Sequence, residues 1–470
     1  MKPQYAIEGS TGILIPMLGL MLFLTRPDNS KIHFWGFYDG DDVWKIRCMP
    51  DMIGPWKFEA AFSDGAGCFS DSFECISSDI PEMISRDETN PLWFGFKGGK
   101  HVLIRSFHVG DRFFAENWPD SERRKFIKWA RKQGYNMFSI ASHYLNRRQA
   151  GRGLGWKTPE LWPLNANEYR KMEKILDELA KENIMVFPFA GFFGRASLYP
   201  TNHNDQINYI KYTLARLSSY WNIVFNVAGP EPVHDTNPYM TKEEVRRLGM
   251  IIKKLNVFGH LISVHNQPGD DEYKDEEFTT FSTLQGPKTV DRSLLYKGLL
   301  ANHSRLKPLF AQETLWPGNV IGHPEYTEED IRKNAIVIMM SAAALNFADM
   351  NGDSSSGFSG TLKLEDRVQL RHDIVKKVWD FFETIPFYRL SPCPHLADNG
   401  YCLAEPGVQY LVYLENGGTV NISVANGNYS VEWINARDTS ERILSGYTCT
   451  GSGLTSPDSN DWFVYLRLCR

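Results

Sequence analysis

The sequence predicts an α/β protein in which a (β/α)8 TIM barrel is flanked by two small all-β sandwich domains. At roughly 150 residues per domain, the 470 residues suffice for about three domains. From about residue 91, apolar strands alternate with amphipathic helices, and eight such units in about 300 residues match a TIM barrel in number and length. Short strands separated by turn residues dominate on both sides of this block. We therefore expect domains at residues 1–88, 89–388 and 389–470.

The N-terminal segment has all-β patterning. Aromatic and β-branched runs are separated by turn signals, for example Tyr38-Asp39-Gly40 and Ser63-Asp64-Gly65. The apolar run Gly12–Leu24 is too short to span a bilayer, is interrupted by a proline and lacks the small-x-small cleavage site of a signal peptide. We interpret it as a buried strand that turns at Pro27-Asp28-Asn29 and returns through residues 31–35.

The cysteines support the same division of the chain. All seven lie before residue 76 or after residue 392, so the block between them is a candidate single domain. No C-x-x-C motif or Cys/His cluster with metal spacing occurs, so no structural zinc site is expected. Cys68 and Cys75 are expected to flank a short turn and could pair across it, although an odd total fits free thiols equally well.

The middle block supplies the elements of the barrel. The predicted strands are His101–Phe107, Asn136–Ala141, Met185–Ala190, Ile223–Val227, Leu261–Val264, Phe278–Leu284, Pro308–Gln312 and Ala344–Ala348. The predicted helices include Asp120–Lys132, Glu168–Glu182, Asp205–Ser219, Thr241–Lys254, Ser293–Arg305 and Glu328–Ser341. A doubly wound open sheet is the alternative, but no G-x-G-x-x-G follows the first strand.

The chain returns to β patterning after Pro386. The stretches YCLAEPGVQYLVYLENGGTVNISV, YSVEWINA and DWFVYLRL are separated by turns rich in Gly, Ser and Thr. This pattern predicts the second sandwich.

Charge and composition restrict the function classes. The 51 basic against 56 acidic residues give a net charge of -5, which argues against a nucleic-acid partner. No apolar run is long enough for a membrane span. Aromatic residues make up 13% of the chain, and flat rings can stack on sugars as well as fill large cores.

Two glutamates follow predicted strands at opposite sides of the barrel. Glu231 comes after strand four and Glu313 after strand seven. The active site of a TIM barrel lies at the carboxyl ends of its strands. Two carboxylates facing one pocket suit glycoside hydrolysis, in which one protonates the leaving oxygen and the other attacks the anomeric carbon. The alternatives are a solvated loop carboxylate for Glu231 and a helix-start residue for Glu313.

The other strand ends provide groups that could hold a sugar by hydrogen bonds or stacking. The candidate substrate-binding residues are His108, His143, Phe192, Arg195, Asn226, His265, Gln285, Trp316 and Asp349, with Phe193 as a further stacking ring. Three of these histidines with Asp349 could alternatively bind a metal. However, no H-x-H pair lies on strand one, and no lysine follows a strand at a position where a bridging metal ligand would be expected. We therefore expect neither metal nor cofactor. No G-x-S-x-G elbow supports a serine nucleophile.

The same residues resemble a known family. The stretches WNIVFNVAGPEPV and KPLFAQETLW are similar to the strand-four and strand-seven motifs of the apiosidase-like glycoside hydrolases. The segment FYDGDDVWKIRCMPDMIGPWKFE resembles the β-sandwich that precedes such barrels, and the C-terminal β stretches resemble a collagen-binding-type sandwich. The resemblance implies Glu231 as acid/base and Glu313 as nucleophile. In the related clan an Asn precedes the acid/base, whereas here Pro230 does, and Ser106-Phe107-His108 replaces a Gly-Asp-Thr-like turn, so apiose is not carried over.

These observations predict a retaining, exo-acting glycoside hydrolase of plant or microbial carbohydrate. A carbohydrate-binding barrel without catalysis is the main alternative, and a polysaccharide lyase is a weaker one. The sequence patterns leave the sugar, the oligomeric state and the cellular location open.

Overall fold

The structure of the protein is a computed structural model. It describes residues 4–8, 19–109, 113, 119–140, 164–188, 193, 200–229, 232–233, 240–266, 269–304, 306–317, 324–348 and 366–469.

The N-terminal segment forms two antiparallel sheets. One has the strand order β3-β2-β6-β7 and the other β1-β5-β4. The strands are β1 Gln4–Glu8, β2 Leu20–Thr25, β3 Lys31–Trp35, β4 Phe37–Tyr38, β5 Val43–Arg47, β6 Gly54–Phe62 and β7 Cys68–Cys75. Leu20, Leu22 and Leu24 of β2 are buried, which confirms the predicted buried strand and its return through β3 for the residues that are described.

Of the two alternatives left open for Cys68 and Cys75, the structure has free thiols, and the short turn expected between them is a strand instead. The two residues begin and end the single strand β7, and about 3.3 Å of rise per residue holds them far apart. All seven cysteines are free thiols.

A parallel sheet forms the centre of the molecule. Its strands run in the order β12-β11-β10-β17-β16-β15, and β13 pairs with β14 separately. Their bounds are β10 Ser106–Val109, β11 Met137–Ile140, β12 Met185–Pro188, β13 Phe225–Asn226, β14 Ile262–Ser263, β15 Ser282–Leu284, β16 Leu309–Leu315 and β17 Ala343–Phe347. Each coincides with a predicted strand, with ends shifted by a few residues.

Backbone hydrogen bonds place the β13–β14 pair in the gap between β12 and β15. Val186 donates to the Asn222 carbonyl at 2.6 Å, and Val224 donates to the Val186 carbonyl at 3.1 Å. On the other side, the Thr280 amide donates to the Ile262 carbonyl at 2.7 Å. The strands therefore follow one another in chain order, which gives a TIM-barrel-like α/β fold.

The helices cover the outer face of the parallel strands. They are α1 Asp120–Lys132, α2 Ala166–Lys181, α3 His203–Leu217, α4 Lys242–Leu255, α5 Arg292–Ala301, α6 Glu328–Met340 and α7 Asp366–Glu383. Thr241 and Thr327 form capping boxes, and Asn165, Asn202 and Asp291 are N-caps. Helix α7 was not among the predicted helices. None of the helices in the described ranges is long and apolar enough to cross a bilayer.

The inward-facing side chains of the parallel strands change from apolar near the amino ends to polar near the carboxyl ends. One cluster near the amino ends contains Ile104, Met137, Met185, Val224, Leu261, Phe281, Phe310 and Ala344. The hairpin of β8 Ile84–Arg86 and β9 Phe94–Phe96 adds Ile84 and Phe94 to it. Two residues further along many of the same strands, the inward positions are polar: Ser106, Ser139, Asn226, Ser263, Thr283, Gln312 and Asn346. The polar end is thus the carboxyl end, where a barrel enzyme places its site.

The C-terminal segment is antiparallel. One sheet has the order β18-β19-β20-β25-β22-β23, and β21 pairs with β24. The strands are β18 Ser391–Pro392, β19 Tyr401–Glu405, β20 Gln409–Leu414, β21 Thr419–Val420, β22 Tyr429–Asn435, β23 Arg442–Thr448, β24 Leu454–Thr455 and β25 Trp462–Leu468. Trp433 and Trp462 are buried in its core.

A buried charge network joins the N-terminal sheets to the helices. The Arg216 guanidinium of α3 is fully buried and donates to Asp39 at 2.7 Å and to the two Glu173 oxygens at 2.6 and 3.0 Å. Arg47 of β5 donates to the same Glu173 carboxylate at 3.0 Å. The Phe37 ring covers Arg216, with 4.5 Å between guanidinium carbon and ring centroid. Since water is excluded, each charge depends on its partners.

We predict that Arg216→Met destabilises the protein strongly. The change leaves Glu173 with Arg47 alone and Asp39 with the more exposed Lys45 and Arg170. Breaking such a buried pair costs about 3–5 kcal/mol. The denaturant midpoint and melting temperature measure the loss. Lys125→Met is the matched control, because Lys125 and its partner Glu122 are 75% and 51% exposed and contribute about 0–1 kcal/mol. Equal effects of the two changes would contradict the role of Arg216.

Candidate functional site

Glu313 lies in an irregular part of strand β16. Ala311 is paired with Leu345 and Leu315 with Phe347, so three residues of β16 face the single residue Asn346 of β17. The Asn346 side-chain amide donates to the Gln312 carbonyl at 2.6 Å within this bulge. A bulge re-aims side chains. Here it lets the adjacent residues Gln312 and Glu313 both reach His265, which a regular strand with alternating sides does not allow.

The Glu313 carboxylate is buried and held by cationic and polar groups. It is 2% exposed. The Lys288 ammonium donates to Oε2 at 2.9 Å, and His265 Nε2 lies 3.4 Å from Oε1. Burial by itself raises the pKa of Glu313, but the charge of Lys288 and the hydrogen bond from His265 outweigh burial and hold that pKa well below its ordinary value. The carboxylate is therefore ionised near pH 7.

A chain of polar side chains at the carboxyl ends of the parallel strands orients the neighbours of Glu313. His265 Nε2 lies 2.7 Å from Gln312 Oε1, and the Gln312 side-chain nitrogen donates to the Ser139 hydroxyl at 3.2 Å. The same nitrogen lies 3.5 Å from His108 Nδ1. Because Gln312 accepts at its oxygen, His265 presents an N–H at Nε2.

His108 and Trp316 form the apolar side of this site. Their rings lie 4.8 Å apart between centroids, and both side chains are fully buried. Burial lowers the pKa of His108 to about 4, so its ring is neutral at pH 7. The Lys288 nitrogen lies 4.6 Å from the Trp316 ring centroid. A sugar that stacked on Trp316 would compete with these contacts, and its stacking role remains a prediction.

The structure brings six of the predicted site residues to the carboxyl end of the parallel strands: Glu313, His108, Asn226, His265, Gln285 and Trp316. Asn226 accepts the backbone amide of His265 at 2.7 Å and thereby joins strands four and five. The Gln285 carbonyl accepts the amide of Gly269 at 2.7 Å and joins the loops after strands five and six. Glu231, His143, Phe192, Arg195 and Asp349 lie outside the described residues.

Phe193 does not lie where a sugar would stack. Its ring is fully buried against Tyr209 and Phe225, with centroid distances of 6.0 Å to each. It therefore belongs to the core between α3 and the strands. The sequence pattern could not distinguish this core position from a position at the carboxyl ends of the strands, where a substrate would bind.

Sequence reasoning missed Lys288, Gln312 and Ser139. Lys288 comes four residues after β15, and its ammonium reaches Glu313. The run Gln285-Gly286-Pro287-Lys288 carries a signal that could have found it, a cation just after a predicted barrel strand. Gln312 lies two residues after the inward Phe310, so regular alternation along the strand could have found it. The bulge that brings Glu313 beside it is not visible in the sequence.

Over the described parts of the chain, no group of three or more His, Cys, Asp or Glu side chains is arranged to hold a metal ion.

Comparisons with known proteins relate this fold to glycoside hydrolases. A family model described as a domain of unknown function (DUF5060) matches residues 20–63, within the N-terminal sheets. None of the curated protein sequences matches the chain. A structure from Bacteroides vulgatus ATCC 8482, provisionally described as a glycoside hydrolase, has a TM-score of 0.76 and 16% sequence identity over 100% of this chain and 98% of that one.

Two further solved structures are similar over most of their length. A glycoside hydrolase family 5 structure from the same organism has a TM-score of 0.62 and 14% identity, covering 82% of this chain and 93% of that one. A structure described as a glycoside hydrolase has a TM-score of 0.61 and 14% identity, covering 83% and 98%. At these identities the comparisons establish a shared fold, one that glycoside hydrolases use, and the resemblance to the apiosidase-like family stays a prediction.

We predict that Glu313 makes the stability of the folded chain sensitive to acid. Its pKa is lowered by folding, so its contribution is complete above the unfolded value of about 4.5 and is lost as the pH falls toward the folded value. Below pH 4.5 the free energy of unfolding of the wild type should fall relative to that of Glu313→Gln, by at most about 1.4 kcal/mol per pH unit. Denaturant titrations between pH 6 and pH 3 measure this difference. Glu122→Gln, in an exposed ion pair, is the control and should follow the wild type.

Proposed function

We propose that the protein is a retaining glycoside hydrolase in which Glu313 is the nucleophile and Glu231 the general acid/base. The observation that carries the proposal is the state of Glu313, a buried carboxylate kept ionised by Lys288 and His265 at the carboxyl end of a barrel strand. A nucleophile must be ionised at working pH, whereas the acid must hold its proton. The site supplies the first of these two conditions.

The reaction we propose has two displacements. Glu313 attacks the anomeric carbon while Glu231 protonates the departing glycosidic oxygen, which forms a covalent glycosyl ester. Glu231 then takes a proton from water, whose oxygen attacks the same carbon and releases Glu313. The net result is hydrolysis with retention of configuration.

The surroundings of the site support a carbohydrate substrate bound in a pocket. Polar side chains from several strands converge there, which suits hydroxyl recognition. The described part of the loop after strand five packs beside Gln285 through the Gly269 amide. The sequence also has three long segments after predicted strands, Asn146–Pro163, Gln267–Glu277 and Gly318–Tyr326. Their length favours a pocket over an open cleft, so we propose exo action. We also propose the division into sandwich, closed eight-stranded barrel and sandwich at residues 1–88, 89–388 and 389–470.

A second candidate function is carbohydrate binding without catalysis. It is favoured by the burial of Glu313, since a carboxylate that is 2% exposed and paired with Lys288 must become accessible before it can attack. Pro230 before Glu231 points the same way. A screen that finds glycan binding and no released product would favour this function.

We predict that Glu313→Ala abolishes turnover of an activated aryl glycoside, with a loss of at least about 10⁴-fold in kcat, because no group remains to form the covalent intermediate. Added azide should restore aryl release from this variant and give a glycosyl azide of inverted configuration. Proton NMR of the first product of the wild type should show retention. Circular dichroism must show an unchanged fold.

Glu329→Ala is the matched control, since that side chain is 61% exposed on α6 and pairs with Lys333. Turnover should equal that of the wild type. Full activity of Glu313→Ala, or an inverted first product from the wild type, contradicts the assignment.

A further inference from the structure

The two oxygens of Glu313 have unequal environments. Oε2 receives a hydrogen bond from the Lys288 ammonium at 2.9 Å. Oε1 lies 3.4 Å from His265 Nε2, whose closer partner is Gln312 at 2.7 Å. Oε2 is therefore the firmly held oxygen and Oε1 the one that can be released to a reaction partner.

Lys288 is itself held in place. Its side chain is 14% exposed, and the ammonium rests over the Trp316 ring at 4.6 Å from the centroid. A cation over an indole face is attracted by the ring quadrupole, more so when water is excluded. The ammonium is thus fixed from two sides, by the ring and by the carboxylate.

We propose that Lys288 is a positioning residue for the Glu313 nucleophile: it anchors Oε2 so that Oε1 faces the anomeric carbon, and it stabilises the carboxylate that departs in the second displacement. This inference rests on the proposed glycoside hydrolase function. It assigns a role to a residue outside the acid/base and nucleophile pair.

The role follows each step of the reaction. In the first displacement Oε1 forms a bond to the anomeric carbon. The bond from that carbon to the leaving oxygen breaks, and the leaving oxygen receives the proton of Glu231. Oε2 becomes the carbonyl oxygen of the ester and keeps its hydrogen bond to Lys288. In the second, the oxygen of water bonds to the anomeric carbon, its proton goes to Glu231, and the electron pair of the breaking bond returns to Glu313. Negative charge then reappears beside the ammonium, which stabilises the departing group.

The charged and titratable groups that face Glu313 from the described elements are Lys288 after β15, His265 after β14 and His108 on β10. His108 is buried and neutral at pH 7, and His265 gives its shortest contact to Gln312. Lys288 is thus the permanent cation in contact with the carboxylate among these groups. Its removal should raise the pH at which Glu313 becomes protonated.

The test compares Lys288→Met, Lys288→Arg and Lys307→Met with the wild type on an aryl glycoside. For Lys288→Met we expect kcat to fall by about 10²–10³-fold, as on loss of one donor to a developing charge. The acid limb of its pH–rate profile should move to higher pH. Because the second displacement is slowed most, KM should fall with kcat and the glycosyl-enzyme should accumulate in mass spectra. Lys288→Arg should restore most of kcat and the position of the acid limb.

Lys307→Met is the matched control. Lys307 is a partly buried lysine just before the amino end of β16, whereas Glu313 lies near its carboxyl end. The Lys307 ammonium donates to the Lys274 and Glu276 carbonyls and has no contact with Glu313. Its loss should lower stability without moving the acid limb or the ratio of KM to kcat. Should Lys307→Met shift the acid limb as Lys288→Met does, the effect is structural and the proposal is overturned.

A stability cycle separates failure of this inference from failure of the proposed function. The unfolding free energies of Lys288→Met, Glu313→Gln and the double variant give the coupling of the pair without any substrate. If the wild type turns over glycosides and Lys288→Met keeps its kcat and pH profile, the positioning role is overturned and the hydrolase proposal stands. If Glu313→Ala is as active as the wild type, both are overturned, whatever coupling the cycle reports.

Discussion

The candidate site depends on one constraint, a carboxylate that is buried and must nevertheless stay charged. Water does not solvate Glu313, so the protein has to supply the compensating charge and hydrogen bonds. Lys288 and His265 do this from the loops after two neighbouring strands. The relative positions of these strand ends must therefore be fixed. Pairing of the parallel strands fixes them and so allows the buried charge.

The framework solves this problem by separating two kinds of interior. Near the amino ends of the strands, apolar side chains and the β8–β9 hairpin fill the space and stabilise the sheet through burial. Near the carboxyl ends, serine, threonine, asparagine and glutamine side chains face one another, and most bond across strands, as Ser106 does with Asn346 at 2.7 Å. The amino ends of the strands thus contribute stability, and the carboxyl ends carry the polar site. The bulge in β16 directs Glu313 toward the carboxyl ends.

The flanking sheets are tied to the same framework by ion pairs. Arg216 and Glu173 connect helices α3 and α2 to Asp39 and Arg47 of the N-terminal segment. On the other side, Arg292 of α5 binds Glu415 at 2.6 Å, and Arg332 of α6 binds Asp461 at 3.1 Å. The helices that support β15, β16 and β17 are therefore fixed from outside the parallel sheet.

The sequence by itself determined the TIM-barrel-like α/β fold, the identity of each parallel strand, most helices and the position of Glu313 next to a strand end. Apolar periodicity and capping residues, which predict these features, are local properties. Only the tertiary structure decided what surrounds Glu313. Lys288 reaches it from the loop after another strand, and the bulge in β16 lets Glu313 and Gln312 both contact His265. Contacts between residues distant in sequence leave no local pattern. The same reason explains Phe193, whose place in the core is set by Tyr209 and Phe225 on other elements. Local patterns place residues on strands, whereas packing between strands sets which groups each residue contacts and which protonation state it has.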